Sequence, residues 1–409
     1  MVGGIVVVGG GHAGAALVAS LRSEGYEGPI RLVSAEAEIP YQRPPLSKAF
    51  LKDTSAEILP IKPEAWYAAN RVDVDLAVTA TAIDRQARTI HLSDGRTVPY
   101  EGLALALGAR VRKPAVPGAD LDGILYLRST ADARILREAL VAAKDVVVVG
   151  GGFIGLEVAA TAALLGKAVT VLEAAPRLMG RAVAPEVSTI MLARHRAAGI
   201  DVRLNTSLVS FEGERGRVMA VRGSGEGSAI PADLVLVGIG VIPNVEIAEA
   251  AGLAVDGGLL VDDHAVTSDH TIVASGDGVV FDHWQAGRRL RVESVQNATD
   301  QSRHAALALL HKPDPYRSVP WFWSDQGPTK LQMVGLSHGA DRTVVRGNPQ
   351  EGRFSVFHYA GDRLVAIDSV DRPADHMIGR RLLAAGTPLP PELAADESVD
   401  LKALAGPTR

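Results

Sequence analysis

Short runs of β-branched residues mark the chain twice, each closed by glycine and followed by small and apolar residues at helical spacing. Residues 5–8, Ile-Val-Val-Val, form the first run. Gly9-Gly10-Gly11-His12-Ala13-Gly14 closes it, and residues 15–21 read as a helix. Residues 30–33 predict the next strand, and Glu36 stands just beyond it. The arrangement returns 141 residues later. Residues 146–149 predict a strand, Gly150-Gly151-Gly152-Phe153-Ile154-Gly155 a turn, 156–165 a helix and 168–172 a second strand, which ends at Glu173. Two βαβ units of this kind predict an α/β fold with two Rossmann-like dinucleotide-binding domains.

The chemistry of the repeat follows from its spacing. In G-x-G-x-x-G the first glycine makes the tight turn, the second lets backbone approach a pyrophosphate, and the third lets helix and strand pack closely. The phosphates then face free N–H groups at a helix N-terminus. An acidic residue about 20 positions on accepts from ribose hydroxyls. Glu36 lies 22 residues beyond Gly14 and Glu173 lies 18 beyond Gly155. One such motif is weak, because glycine-rich turns are common; two in matching context are strong. Two sites imply two dinucleotides, a resident flavin and a transient nicotinamide being the economical pair. Glu173 favours NADH by opposing a 2′-phosphate, although Arg177, four residues on, softens that preference and leaves NADPH open.

Pro- and Gly-marked breaks divide the chain. A discontinuous first domain is expected over 1–112 and 243–320, a second over 113–242 and a third over 321–409. Alternating segments after Pro320 predict antiparallel strands and an α+β C-terminal domain. The glycine-rich stretch 223–227 reads as a hairpin turn and the tail from 389 as partly irregular.

Composition narrows the function. Lys and Arg total 42 against 47 Asp and Glu, a net charge of −5 that argues against nucleic-acid binding. Cysteine is absent, which excludes thiol nucleophiles, Cys-ligated metal and any internal dithiol. The 11 histidines show no H-x-x-x-H spacing, so no metal site is expected. The uncharged first 21 residues superficially suit a signal peptide or membrane span. Their glycines and their strand–turn–helix pattern fit a cytoplasmic enzyme without a membrane anchor better.

Five stretches together resemble a known family. They are 9–14 with Glu36; Pro40-Tyr41-Gln42-Arg43-Pro44-Pro45-Leu46-Ser47-Lys48; 150–155 with Glu157 and Glu173; Ala274-Ser275-Gly276-Asp277 followed by 293–298; and Val319-Pro320-Trp321-Phe322-Trp323-Ser324-Asp325-Gln326 with the later 372–375. Over nearly its whole length the chain resembles the FAD-dependent NADH:ferredoxin reductases of bacterial cytochrome P450 and ring-hydroxylating oxygenase systems. These share a glutathione reductase-like fold within the pyridine nucleotide-disulfide oxidoreductases.

The resemblance implies that FAD is held by Gly9, Gly11, His12, Ala13, Gly14, Glu36, Arg43, Lys48, Asp277, Val295, Gln296 and Trp323. It implies that NAD is held by Gly150, Gly152, Phe153, Ile154, Gly155, Glu157 and Glu173. Lys48, near the flavin N5 edge, and Glu157, approaching it across a domain interface beside the nicotinamide, are the implied catalytic pair. Taken alone, Lys48 reads as a surface lysine, Glu157 as a first-turn complement to the helix dipole, Asp277 as a turn residue and the 321–323 aromatics as core. The chain departs from the family at Gly327-Pro328-Thr329, where an aromatic residue often stands. The implied partner is a [2Fe–2S] ferredoxin. Arg288, Arg289, Arg291 and Arg303 are the candidate docking patch, with a solvated hairpin as the plainer reading. The alternatives are an NADH-dependent reductase of a quinone or ascorbate radical, and an NADH-sensing flavoprotein resembling apoptosis-inducing factor.

Overall fold

A computed structural model describes residues 3–225 and 227–404. Glu226 of the expected 223–227 turn, and 405–409 of the expected C-terminal domain, lie outside the described residues. The chain forms two compact units. One comprises 1–42, 58–110 and 242–320, and the other 43–57, 111–241 and 321–409. This differs from the expected three domains in two respects. The excursion 43–57 leaves the first unit for the second, and 321–409 joins the second unit.

In the first unit, among the described residues, parallel strands run in the order Val72–Asp75, Ile30–Val33, Gly4–Val8, Thr97–Leu105, Ile272–Ala274. Gly4–Val8 lies inside the sheet and is almost wholly buried, as an uninterrupted Ile-Val-Val-Val run requires of a strand covered on both faces. The start of Thr97–Leu105 instead pairs antiparallel with Thr89–Leu92, which pairs with Ala80–Asp84. Helices His12–Ser23 and Val295–Leu309 pack on each other, and Ala13 and Ala298 meet at their first turns.

The second unit repeats that order with Asp201–Arg203, Ala168–Leu172, Asp145–Val149, Leu234–Val237 and Ile124–Leu125. Only the origin of the last strand differs: it follows the glycine motif in the first unit and precedes it in the second. In both sheets the chain reverses direction of travel beside the glycine-bearing strand. The turn therefore opens at the carboxyl end of that strand, where ligands bind in open α/β sheets.

The second unit also carries an antiparallel sheet, Trp321–Gln326, Thr329–Gly335, Arg363–Val370, Arg353–Ala360, Arg342–Asn348, backed by helix Pro373–Ala385. The tail expected to be irregular contains short helices Pro391–Ala395 and Leu401–Leu404. No helix of the described residues is long and apolar enough to cross a membrane.

Candidate active site

The two glycine turns solve one steric problem in the same way. Gly9 has φ +118° and Gly150 φ +111°, a backbone region that side chains avoid. A Cβ on Gly14 would lie 1.9 Å from the carbonyl oxygen of Gly9, and one on Gly155 2.2 Å from that of Gly150. Each helix therefore packs on its turn only because the third glycine lacks a side chain. Gly11 and Gly152 differ: a Cβ there would meet nothing within 4 Å. Their missing side chains leave open space at the helix start.

That space is electrostatically prepared. Gly11 and Gly152 are the N-caps of helices His12–Ser23 and Phe153–Leu164, and neither helix has a side-chain cap or a carboxylate in its first turn. The first N–H groups of each helix stay available to an anion. By contrast, Ser129 and Ser294 cap helices Thr130–Ala142 and Val295–Leu309. The carboxylates expected to take ribose stand at the ends of the neighbouring strands. Glu36 accepts from the buried Tyr41 hydroxyl. Glu173 accepts from the N–H groups of Gly151 and Ala175, each at 2.7 Å. These donor sets and open cradles fit two dinucleotides.

In the first unit the other implied FAD residues gather at the same end of the sheet. A Cβ on Gly276 would stand 3.0 Å from the Ala13 methyl, so Asp277 follows directly on a contact with the first turn. The Gly276 N–H donates to Gln301 of helix Val295–Leu309. Val295 and Gln296 begin that helix, and Gln296 donates to Asp300 at 2.6 Å. His12 shares a hydrogen bond of 3.1 Å with Gln42.

Arg43, Lys48 and Trp323 belong to the second unit. Arg43 donates to the carbonyl of Arg128 at 2.6 Å. Pro44 and Pro45 start the 3-10 turn Pro44–Ser47, where their fixed φ is already suitable and no N–H is needed. The turn presents Ser47 and Lys48 to helix Phe153–Leu164. Lys48 Nζ lies 2.8 Å from Glu157 Oε2 and also donates to the Pro44 carbonyl at 3.3 Å. Ser47 Oγ donates to the same Glu157 oxygen, and Ser324 Oγ donates to Oε1 at 2.6 Å.

The Glu157 side chain is 1% exposed and that of Lys48 21%. A buried carboxylate is costly unless its oxygens are hydrogen-bonded, and here three side chains supply the donors. Glu157 stands beyond the first turn of its helix, so the dipole reading does not explain it. Lys48 is no free surface lysine, and the two meet within one unit instead of between domains. Sequence reasoning missed Ser47 and Ser324, although both lie in the stretches it singled out.

Strand Trp321–Gln326 shows why the aromatic cluster is there. Alternation puts Phe322, Ser324 and Gln326 on one face and Trp321, Trp323 and Asp325 on the other. Phe322 packs on Phe153 with ring centroids 4.8 Å apart. Trp321 and Trp323 lie 5.6 Å apart, with Arg380 over the Trp321 ring at 4.2 Å. Ile154 is partly exposed at the helix start. The departure at Gly327-Pro328-Thr329 is a two-residue hairpin turn, with Gln326 paired to Thr329 and Gly327 at φ +61°. Glycine at the first central position is what such a turn favours.

The expected docking patch is largely neutralised. Arg291 pairs with Glu293 at 2.6 Å, Arg303 with Glu24 at 3.0 Å and Arg289 with Asp282 at 3.4 Å. Arg288 begins the strand Arg288–Leu290, which pairs with Val279–His283. The solvated-hairpin reading describes these arginines better than a free basic surface does.

Comparison with known proteins places this architecture. Residues 3–302 match the model of the pyridine nucleotide-disulphide oxidoreductases, and 321–405 match the reductase C-terminal domain. The chain is 44% identical to rhodocoxin reductase of Rhodococcus erythropolis over 399 residues, covering 97% of this chain and 93% of that one. The ferredoxin reductase for the CYP199A2 system from Rhodopseudomonas palustris superposes with a TM-score of 0.95 at 45% identity, covering 98% of this chain and 99% of that one. The covalent putidaredoxin reductase–putidaredoxin complex gives a TM-score of 0.95 at 42% identity, with 98% of each chain covered.

Proposed function

The chain belongs to the pyridine nucleotide-disulphide oxidoreductase family, and from that premise we propose that it is an FAD-dependent ferredoxin–NAD(+) reductase. It takes a hydride from NADH and passes electrons singly to a [2Fe–2S] ferredoxin that feeds a cytochrome P450 or ring-hydroxylating oxygenase. The observation that carries this reading is the pair of uncapped glycine turns, each with its own carboxylate, together with the buried Lys48–Glu157 pair.

Gly9, Gly11, His12, Ala13, Gly14 and Glu36 would hold the adenosine half of FAD, with Asp277 at the ribityl and pyrophosphate region. Val295, Gln296, Arg43, Lys48 and Trp323 would line the flavin. FAD, when bound, supplies the hydride acceptor and the one-electron donor. Gly150, Gly152, Phe153, Ile154, Gly155 and Glu173 would hold NADH. Glu157 and Lys48 orient the nicotinamide and keep a cation beside the reacting edge, a matter of positioning and electrostatic preorganisation.

The absence of cysteine closes one route for the electrons. Relatives that use a dithiol receive electron pairs on adjacent thiols, and this chain has none. A one-electron carrier is the acceptor we propose, because the reductases of known structure above are named for such systems. Arg177 is tied into its own loop, its guanidinium donating to the carbonyls of Val183 and Gly180 and to Ser188 Oγ, which supports NADH over NADPH as the donor. We place the protein in the cytoplasm, where NADH is at hand and a cysteine-free fold needs no oxidising compartment.

The deciding experiment begins with a visible absorption spectrum of the purified protein, which is expected to show bound flavin. Cytochrome c reduction is then measured with NADH or NADPH, with and without a [2Fe–2S] ferredoxin. NADH-driven, ferredoxin-dependent reduction is expected. A colourless protein that takes up no FAD on refolding refutes the proposal. Full turnover with a quinone and none with ferredoxin would transfer it to the small-molecule reductases.

A further inference from the structure

Behind the ion pair runs a second line of polar side chains. Ser324 Oγ, which donates to Glu157 Oε1, itself accepts from Gln326 Nε2 at 3.2 Å. Gln326 Oε1 lies 2.8 Å from Nε2 of His195, and Gln326 Nε2 also lies 3.4 Å from Met179 Sδ. Ser324, Gln326 and His195 are all buried. Gln326 Nε2 faces two acceptors, Ser324 Oγ and Met179 Sδ, so its amide oxygen is the atom that meets His195, whose Nε2 carries the matching N–H.

The consequence concerns one proton. A hydroxyl has a single hydrogen to donate. With Gln326 donating into the Ser324 oxygen, the Ser324 hydrogen is directed to Glu157. The carboxylate then accepts on Oε1 from Ser324 and on Oε2 from Ser47 and Lys48. The elements packed on its helix are Pro44–Ser47, Trp321–Gln326, Ala168–Leu172 and Asp145–Val149. Of their charged residues and near neighbours, Lys48 reaches the carboxylate, while Asp325 alternates to the other face of its strand. Asp145 lies at the far end of its strand, Arg43 is engaged at Arg128, and His195 is linked only through Gln326.

We infer that Ser324 and Gln326 are positioning residues for the hydride-transfer site: they fix the Glu157 carboxylate as an acceptor on both oxygens, in the orientation that meets Lys48. The inference deepens the proposed function and rests on its reading of the Lys48–Glu157 pair. Among the described residues neither Gln326 nor His195 is hydrogen-bonded to Glu157, and the hydrogen-bonded link to it runs through Ser324.

The test uses the FAD-loaded protein and two variants, Ser324→Ala and Gln326→Leu. Infrared difference spectroscopy reads the Glu157 carboxylate stretch directly, isolated by subtracting the spectrum of Glu157→Gln. Losing the donor on one oxygen changes how charge is shared between the two and so moves the band. Ser324→Ala is expected to shift the Glu157 carboxylate band and to slow NADH-driven flavin reduction roughly tenfold with little change in KM for NADH, since hydrogen bonds to charged groups are the strong ones. Gln326→Leu should move both readouts in the same direction by less.

A wild-type carboxylate band and a wild-type rate of flavin reduction in both variants overturn the inference, and Gln326→Leu decides alone if Ser324→Ala does not fold. Failure of NADH to reduce the wild-type protein removes the proposed function while leaving the infrared result readable. An active wild type with unmoved variant bands removes only the positioning role.

Discussion

Glu173 accepts the backbone N–H of Gly151 at 2.7 Å, so the carboxylate that ends one strand is tied to the glycine turn that ends its neighbour. The same side chain also holds the Ala175 N–H. A carboxylate held at both oxygens is rigid, and in the proposed function it would meet ribose hydroxyls and oppose a 2′-phosphate. Glu173→Ala is expected to raise KM for NADH roughly tenfold, the scale of a lost charge-assisted hydrogen bond. It should also narrow the NADH-to-NADPH ratio of kcat/KM. Arg177→Ala should leave that ratio alone, because its guanidinium is spent on Val183, Gly180 and Ser188. A ratio indifferent to Glu173 would show that discrimination lies elsewhere.

The second and third glycines of the nucleotide turn make opposite predictions. Gly155→Ala pushes a methyl onto a backbone carbonyl 2.2 Å away, and overpacking of that kind costs about 2 kcal/mol. This exceeds the gain of up to about 1 kcal/mol that alanine normally brings to a helix. Thermal unfolding should show a clear loss. Gly152→Ala meets no neighbour and has an ordinary φ of −84°, so its melting temperature should match the parent. In the proposed function its methyl would occupy the space for the pyrophosphate, and calorimetry should show weakened NADH binding. Equal NADH affinity in Gly152→Ala and the parent would mean that no phosphate sits there.

What could be read from the chain was what the backbone demands. Gly9, Gly14, Gly150 and Gly155 sit where no side chain fits, and the β-branched runs before them had to be buried strands. The excursion 43–57 was not legible, because chain continuity carries no mark of which core a short segment joins. Ser324 lies 167 residues from Glu157, and no local spacing records such a meeting. One signal was available: alternation along Trp321–Gln326 places Ser324 and Gln326 beside Phe322 on a face otherwise apolar. Polar residues on a buried face need partners, and Glu157 is the partner of one. The run 288–291 reads as a solvated hairpin from sequence, and the strand pairing that brings Asp282 beside Arg289 adds the partners.

Two buried histidines should make the fold acid-sensitive. His283 is held at a pKa of about 4 by burial, and its Nδ1 accepts the Gln285 N–H at 3.2 Å, which requires that nitrogen unprotonated. His376 is also at about 4, through burial and then the charge of Arg380. Its Nδ1 has no hydrogen-bond partner among the described residues. In the unfolded chain both titrate near ~6.5. Protons therefore bind the unfolded state first, and stability falls as pH drops from about 6.5 toward 4, by up to about 1.4 kcal/mol per pH unit for each histidine. Melting temperatures between pH 7 and 5 test this. His376→Gln should flatten the decline, and an unchanged slope in that variant would remove His376 as a cause.

Lys48 is where the proposed chemistry is most exposed to refutation. Its ammonium is the only cation hydrogen-bonded to Glu157 among the described residues, and it is held from behind by the Pro44 carbonyl. Lys48→Met keeps the length and the apolar stem but removes the charge. Ser47 and Ser324 still donate to the carboxylate, so the fold should survive with a loss of about 2 kcal/mol. That is less than the 3–5 kcal/mol typical of a broken buried pair, because Lys48 is partly solvated. The glycine turn, Glu36 and the Asp277 segment are untouched, so flavin content and its spectrum should be those of the parent. The reacting edge loses its fixed positive charge, and preorganised charge of this kind is worth about a hundredfold in rate. Stopped-flow mixing with NADH should therefore show flavin reduction slowed by roughly that factor, with little change in NADH affinity. A parental reduction rate in a fully flavinated variant would strip Lys48 of any part in hydride transfer and leave the pair a purely structural one.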